Sequence, residues 1–150
     1  MYIVFTVCIL YFLSQTIYNF TSYNFTLYLK KMNYFKELKV WQKAIELVTN
    51  TYLKTQSFPK EEIYELTSQI RRCAVSIPSN IAEGCGRNTP KDFNNFLGIS
   101  LGSAFEFETQ LIICKNLGFI NQEDFNFIES EIQYIQNMII KLKSSLEKKL

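Results

Sequence analysis

The stretch QIRRCAVSIPSNIAEG, residues 69–84, decides the fold that we predict for this chain of 150 residues. Its apolar residues recur at intervals of three and four, which is the spacing of one helix face. Pro78 lies inside this helical pattern, where it lacks a backbone N–H and crowds the carbonyl group of Ala74. We therefore expect a second helix that is kinked or broken near Pro78 and that is stopped by Gly84 and Gly86.

Apolar stripes with the same helical spacing run through the chain on both sides of this stretch. The first stripe comprises Leu38, Trp41, Ala44, Ile45, Val48 and Tyr52. The second comprises Ile63, Leu66, Ile70, Ala74 and Ile77. The third comprises Phe93, Phe96, Leu97, Leu101, Ala104, Leu111 and Cys114, and the fourth comprises Phe125, Ile128, Ile132, Ile135, Ile139, Leu142 and Leu146. Four stripes with short connections predict an all-α fold, an antiparallel up-down four-helix bundle.

Residues that start and end helices separate these stripes. Pro59 suits the first turn of the second helix. Thr89 is the predicted N-cap of the third helix, because proline follows it and Asp92 lies three residues after it. Gly118 ends the third helix, and Asn121 is the predicted N-cap of the fourth.

Small residues crowd into the third helix. They are Gly98, Ser100, Gly102, Ser103 and Ala104. A glycine costs a helix about 1 kcal/mol relative to alanine, and close approach of another backbone would offset that cost. The approaching backbone belongs either to another helix of the bundle or to a second subunit.

The first 31 residues differ in composition from the rest of the chain. Lys30 and Lys31 are their only charged residues, whereas residues 32–150 hold fourteen cations and fourteen anions. We therefore divide the chain into an apolar extension, 1–31, and a four-helix-bundle domain, 32–150. The formal charge of +2 belongs to the extension, and the domain sums to zero.

Four explanations of the extension stay open. A signal peptide lacks support, because no cation precedes the apolar run and no small-residue cleavage site follows it. A membrane anchor is compatible with the uncharged length, although polar residues interrupt the run after Leu13. The third explanation is a mis-called start, with translation beginning at Met32, and this is the one that we expect; a structured extension is the remaining alternative.

The chain contains no histidine, which excludes a Ser-His-Asp triad, an imidazole general base and a zinc site that uses His. The cysteines are Cys8, Cys73, Cys85 and Cys114, and no C-x-x-C spacing occurs. We expect no metal, no cofactor and no enzymatic activity. Free thiols suit a reducing cytoplasm, and we expect Cys85 to lie in a loop.

Residues 69–84 are distinctive as a string, and further segments accompany them. These are LKVWQKA at 38–44, FPKEE at 58–62 and EFETQL at 106–111. Together they resemble the four-helix-bundle family of proteins encoded by intervening sequences inside bacterial 23S rRNA genes, whose members are often labelled as a ribosomal protein. The resemblance runs from about Tyr34 to the mid-140s and does not reach the extension.

This resemblance implies a small cytoplasmic bacterial protein without known catalysis or small-molecule substrate, commonly a ring-shaped homopentamer. Related members accompany the reverse transcriptase of diversity-generating retroelements, where a basic face is thought to hold nucleic acid. Here Cys85 and Gly86 stand where relatives often carry a basic or another small residue. Because the domain has no net charge, any basic face must be local.

Five cations are the candidates for nucleic-acid binding: Arg71, Arg72, Arg87, Lys91 and Lys60. Contacts from them would position a phosphate backbone more than read bases. Ordinary solvated or ion-paired cations are the alternative for each. Adjacent helical residues project about 100° apart, so one arginine of the adjacent pair could bind an acid while the other faces solvent.

A second set of residues forms the predicted structural motif: Pro78, Asn80, Glu83 and Gly84. A catalytic role for Asn80 and Glu83 lacks any partner base or nucleophile. We expect Asn80 to cap the helix again after Pro78, and Glu83 to share that role or to pair with Arg71 or Arg72.

Three functions remain as hypotheses. The first is an oligomeric module that binds structured RNA or other nucleic acid. The alternative is a protein-interaction scaffold or accessory subunit, for example of a retroelement reverse transcriptase. The third is a membrane-tethered bundle, which requires that residues 1–31 are translated and retained.

Overall fold

Four long helices make up most of the protein, as the apolar stripes predict. The structure is a computed structural model, and it describes residues 35–148. The long helices are α1 (Lys39–Lys54), α2 (Leu66–Gly86), α3 (Pro90–Asn116) and α4 (Gln122–Glu147), and two 3-10 helices (Thr55–Ser57 and Lys60–Tyr64) join α1 to α2. No strand occurs between residues 35 and 148, so the predicted all-α class is confirmed. The predicted extension, 1–31, lies outside the described residues.

The long helices enclose one apolar core. Helix α1 contacts α2 and α4, α2 contacts α3, and α3 contacts α4. The largest fully buried apolar side chains are Leu47, Ile70, Ile77, Ile81, Leu97, Phe107, Leu111, Ile128, Ile132, Ile135 and Ile139. Every long helix contributes to this set, which is consistent with a helical bundle.

The caps of α3 and α4 lie where the sequence predicts them. The backbone N–H of Asp92 donates to Thr89 Oγ1 at 3.1 Å, with proline as the first residue of α3. The backbone N–H of Asp124 donates to Asn121 Oδ1 at 2.8 Å. Gly118 has a φ of +73°, so the chain leaves α3 through the left-handed conformation that glycine tolerates.

The predicted start of α2 at Pro59 is wrong. Pro59 instead precedes a 3-10 helix, in which the N–H of Glu62 donates to the Pro59 carbonyl at 3.0 Å. Glu65 then adopts φ −110° and ψ −112°, which separates this segment from α2. As a result Ile63, which we assigned to the buried stripe of α2, is 46% exposed.

The buried face of α1 also differs from the predicted stripe. Ile45 and Tyr52 are 39% and 43% exposed, whereas Leu47 and Thr51 are buried. The Thr51 hydroxyl donates to the carbonyl oxygen of Leu47 at 2.7 Å, so its polar atom is satisfied without water. The buried face of α1 is therefore rotated about the helix axis relative to the predicted stripe, and Tyr52 lies at the surface instead of in the core.

We predicted a kink or a break near Pro78; α2 is not broken there, and the kink stays a prediction. The helix runs without interruption from Leu66 to Gly86 with Pro78 inside it. Proline inside a helix costs about 3 kcal/mol, because it cannot donate to the Ala74 carbonyl and crowds that group. Both residues are buried, and α2 packs against α1 and α3, so tertiary packing holds the helix through this point.

Asn80 does not cap a broken helix, because its side chain bonds back along α2. Its Nδ2 donates to the Ser76 carbonyl at 2.8 Å and lies 2.9 Å from Ser76 Oγ. Ser76 Oγ in turn lies 2.9 Å from Ser103 Oγ on α3. Nearby, Ser100 Oγ donates to the Ile77 carbonyl at 2.9 Å. These bonds form a polar seam between α2 and α3 beside Pro78.

Gly84 lies inside α2, where it allows a close approach of α3. A Cβ at this position would lie 2.7 Å from Phe96 Cβ and 2.8 Å from Phe93 Cδ2. Helix α2 continues to Gly86, so Gly84 serves packing and does not itself end the helix.

The small residues of α3 divide between two faces of the helix. Ser100, Ser103 and Ala104 are buried, which agrees with tight packing inside the bundle. A Cβ at Gly102 would meet nothing within 4 Å. For Gly102, contact with a second subunit stays a prediction.

Candidate nucleic-acid interface

The structure separates the five predicted cations. Arg71 and Arg72 lie in the N-terminal half of α2, and Lys60 is exposed on the preceding 3-10 helix. Arg87 and Lys91 lie at the other end of α2 and the start of α3. Sixteen residues of helix between Arg71 and Arg87 span about 24 Å. One subunit therefore does not bring all five cations into one patch.

Arg71 and Arg72 line the same groove, which we call the arginine groove. Its lining comes from the end of α1, the 3-10 helix and the first turns of α2. The lining residues are Tyr52, Ile63, Tyr64, Ser68, Arg71, Arg72 and Val75, around a volume of about 490 Å³. Two arginines and no acidic residue belong to this lining, so the lining itself carries only positive charge although the domain is neutral.

Arg71 is held in place by contacts with α1 and the turn after it. Its Nε donates to Thr55 Oγ1 at 2.8 Å, and its guanidinium carbon lies 4.9 Å from the centre of the Tyr52 ring. Thr55 is 4% exposed, and its hydroxyl is fixed by donation to the Thr51 carbonyl at 2.8 Å. The expected pairing of one arginine with an acid is therefore wrong for Arg71, which binds a hydroxyl group and stacks on a ring.

Arg72 is exposed, and its charge is not cancelled by an ion pair. Three ion pairs occur within residues 35–148, and neither Arg72 nor Arg71 belongs to any of them. Burial is the main cause of the raised pKa of Cys73; Glu106 on α3 adds to the rise, and Arg72 opposes it. Within residues 35–148, Arg72 and Glu106 do not form an ion pair.

Glu62, an acid of the 3-10 helix, is directed away from the arginine groove. Its Oε2 accepts a hydrogen bond from the backbone N–H of Leu66 at 3.4 Å, at the start of α2. Its negative charge also helps to raise the pKa of Cys114 on α3. The carboxylate therefore serves the helix start and does not neutralise the arginines.

In the second group of cations, Arg87 is paired with an acid, and Lys91 is not paired with any acid of residues 35–148. Arg87 pairs with Glu83 one turn earlier and lies over the Phe96 ring, 4.6 Å from its centre. Asp92 lines the adjacent pocket, whereas Lys91 is exposed and does not line it. The predicted pairing of Glu83 with Arg71 or Arg72 is wrong, because α2 continues past Pro78 and carries Glu83 toward Arg87.

The cysteines of the described chain lack the features of a reactive or metal-binding site. Burial raises the pKa of Cys73, Cys85 and Cys114 to about 11 in each case. Cys85 lies within α2 and is half-buried, so its predicted loop position is wrong.

No group of three or more His, Cys, Asp or Glu side chains within residues 35–148 could hold a metal ion. Nor does any helix in that range have the length and apolar composition needed to cross a membrane.

Tyrosines are the part of the groove that sequence reasoning missed. Tyr52 was assigned to the core, and Tyr64, which is 91% exposed, was not considered. Thr51 and Thr55 offered a signal, because a threonine whose hydroxyl donates to a carbonyl of its own helix can be buried. The position of Tyr64 depends on the 3-10 helix, which has no comparable sequence signal.

Comparison with known proteins relates the chain to one family. The model of the 23S rRNA-intervening sequence protein family matches residues 36–141. A crystal structure of a protein of unknown function from the S23 ribosomal protein family of Bacteroides thetaiotaomicron is 26% identical, with a TM-score of 0.64. That similarity covers 69% of this chain and 97% of the other. No curated protein matches the chain significantly.

Proposed function

Because the chain belongs to the family of 23S rRNA-intervening sequence proteins, we propose that it is a non-catalytic, self-associating module that binds structured RNA. It needs no cofactor and no small-molecule substrate for this role. A cytoplasmic location is part of the proposal, supported by the free thiols of Cys73, Cys85 and Cys114, which suit a reducing compartment.

The proposed topology is an antiparallel up-down four-helix bundle. Three residues separate α2 from α3, and five separate α3 from α4. Connections this short favour antiparallel neighbours. The contacts of α1 with both α2 and α4 support closure of the bundle.

The arginine groove is the observation that carries the RNA proposal. Bulk charge gives no attraction to phosphate, since residues 32–150 sum to zero. Arg71 and Arg72 nevertheless both line the groove, and no acid belongs to the lining. Guanidinium groups bind phosphate through paired N–H donors. Because Nε of Arg71 is already bound to Thr55, its orientation is set before a ligand arrives.

Self-association is supported by an uncovered apolar face of α3. Ile99, Phe105, Ile112 and Ile113 are between 42% and 53% exposed on the side opposite the buried residues of α3. Gly102 lies among them with open space around it, so another backbone can approach. Large apolar residues grouped on one helix face are typical of protein contacts. Assembly would also bring several arginine grooves into one particle.

The same face supports the second candidate, a protein-interaction scaffold. If the full-length protein is a monomer by light scattering, the apolar face of α3 is left for a different protein, for example a reverse transcriptase. If Phe105→Ser converts an oligomer to a monomer while the matched variant Phe127→Ser on α4 does not, self-association is favoured. Both phenylalanines are about half exposed, at 50% and 46%.

The RNA proposal is tested by fluorescence anisotropy with a labelled RNA hairpin and the full-length protein. We expect binding at about 50 mM salt and strong weakening at about 200 mM, because phosphate contacts release counterions. Arg72→Gln should weaken binding and reduce the slope of log affinity against log salt by about 1. Absence of binding at the lower salt concentration would contradict the proposal.

A further inference from the structure

We propose that the arginine groove holds one unpaired nucleotide, whose base stacks on Tyr64 while Arg71 and Arg72 contact the adjacent phosphate. This inference rests on the proposed RNA-binding function and makes it specific. It assigns a ligand class, a single-stranded or bulged nucleotide, to a groove whose residues come from three separate elements.

The two tyrosines of the groove are in different states. The ring of Tyr52 is already covered by the guanidinium of Arg71, at 4.9 Å from the ring centre. The side chain of Tyr64 is 91% exposed, and no aromatic pair or cation–π contact involves it within residues 35–148. Tyr64 therefore offers the free aromatic face of the groove, whereas Tyr52 positions a cation.

Stacking of bases on aromatic side chains is the common way in which proteins bind unpaired nucleotides, with cations along the backbone. A base inside a duplex has both faces covered by its neighbours, so it cannot stack on a protein ring unless it leaves the helix. The groove volume of about 490 Å³ lies within the range of about 300–1,000 Å³ of sites that hold small molecules. A groove of this size can hold one nucleotide.

Charge placement agrees with a nucleotide whose phosphate lies toward α2. Arg71 and Arg72 are in the first two turns of α2, and Tyr64 is two residues before that helix begins. The acids of this segment, Glu61, Glu62 and Glu65, do not line the groove, and Glu62 accepts a hydrogen bond from the N–H of Leu66. A ligand in the groove thus meets cations on the α2 side and an aromatic ring on the side of the 3-10 helix.

The test measures how tightly the full-length protein binds three labelled probes at about 50 mM salt. The probes are a single-stranded RNA of about 12 nucleotides, an abasic strand of equal length, and a blunt duplex. We expect the single strand to bind more tightly than the abasic strand and the duplex. Tyr64→Ala should weaken single-strand binding about 5- to 150-fold, while Tyr64→Phe restores it. Tyr134→Ala, which alters an exposed tyrosine of α4, is the control.

The outcomes separate this inference from the proposed function. Equal binding of all three probes, or single-strand binding unchanged by Tyr64→Ala, would overturn the nucleotide inference while RNA binding stands. No binding of any RNA probe would overturn both. Equal thermal unfolding of the tyrosine variants excludes misfolding as the cause, which is expected because Tyr64 is exposed and outside the core.

Discussion

Gly84→Ala should destabilise the protein, although alanine is the better helix former. The added Cβ would lie 2.7 Å from Phe96 Cβ and 2.8 Å from Phe93 Cδ2. Phe96 Cβ cannot rotate away, because it is attached directly to the backbone of α3. The helices must therefore shift apart at this point.

The size of the effect follows from two opposing contributions. Adding a methyl group to a packed site costs about 1–3 kcal/mol, and the contact with a Cβ atom indicates the upper part of that range. Replacing a helical glycine by alanine gains about 1 kcal/mol. The expected result is a loss of about 2 kcal/mol in the free energy of unfolding.

Gly98→Ala is the matched control, since Gly98 is also inside a long helix and the nearest atom to its new Cβ would be the flexible Nζ of Lys143, at 3.6 Å. It should gain about 1 kcal/mol, so the two variants should differ by about 3 kcal/mol. The assay is guanidinium chloride unfolding followed by far-UV circular dichroism. Light scattering must show the same oligomeric state for both variants. Unchanged or increased stability of Gly84→Ala would refute the packing role of this glycine.

Three further predictions concern stability. Thr89→Ala should cost about 1 kcal/mol by chemical unfolding, because the N–H of Asp92 loses its acceptor, whereas Thr89→Ser should cost little. Phe107→Ala should lower the free energy of unfolding by about 3–5 kcal/mol, because the side chain is fully buried. Phe127→Ala alters a half-exposed site and should lower it much less. Equal losses in the two variants would contradict the assigned core. Burial raises the pKa of Cys114 from 9.0 to about 11, so between these pH values the thiol ionises in the unfolded chain and not in the folded one. The free energy of unfolding should therefore keep the contribution of Cys114 below pH 9 and lose it as the pH rises toward about 11. In Cys114→Ala the decline with pH should be shallower, and an unchanged slope would refute this cause.

Features fixed by local chemistry were predictable from the sequence. The caps at Thr89 and Asn121 depend on hydrogen bonds from each side chain to the backbone N–H three residues later, and they form where expected. The apolar stripe of α4 also contributes its isoleucines to the core. For these features the sequence neighbours and the spatial neighbours are the same residues.

Features that depend on tertiary packing were not predictable in the same way. The break expected at Pro78 does not occur, because α1 and α3 support the helix on both sides. That continuity separates Arg71 from Arg87 by about 24 Å and divides the predicted set of cations. It also directs Glu83 to Arg87.

The candidate site was predicted only in part. Arg71 and Arg72 were identified because cations are recognisable in any sequence. Their aromatic partners were missed, since the buried face of α1 includes Thr51 and leaves Tyr52 exposed, and Tyr64 lies in a 3-10 helix. A threonine whose hydroxyl donates to a carbonyl of its own helix can be buried, although its polarity in the sequence suggests a surface position.

The most direct test of the central proposal compares two variants with the same loss of charge. Arg71→Gln/Arg72→Gln removes the cations of the arginine groove, and Lys39→Gln/Lys141→Gln removes two exposed cations elsewhere. With a labelled RNA hairpin at about 50 mM salt, we expect the arginine variant to bind at least about tenfold more weakly and the lysine variant to bind nearly as the wild type does. Equal loss in both variants would contradict a local site and indicate attraction by charge alone.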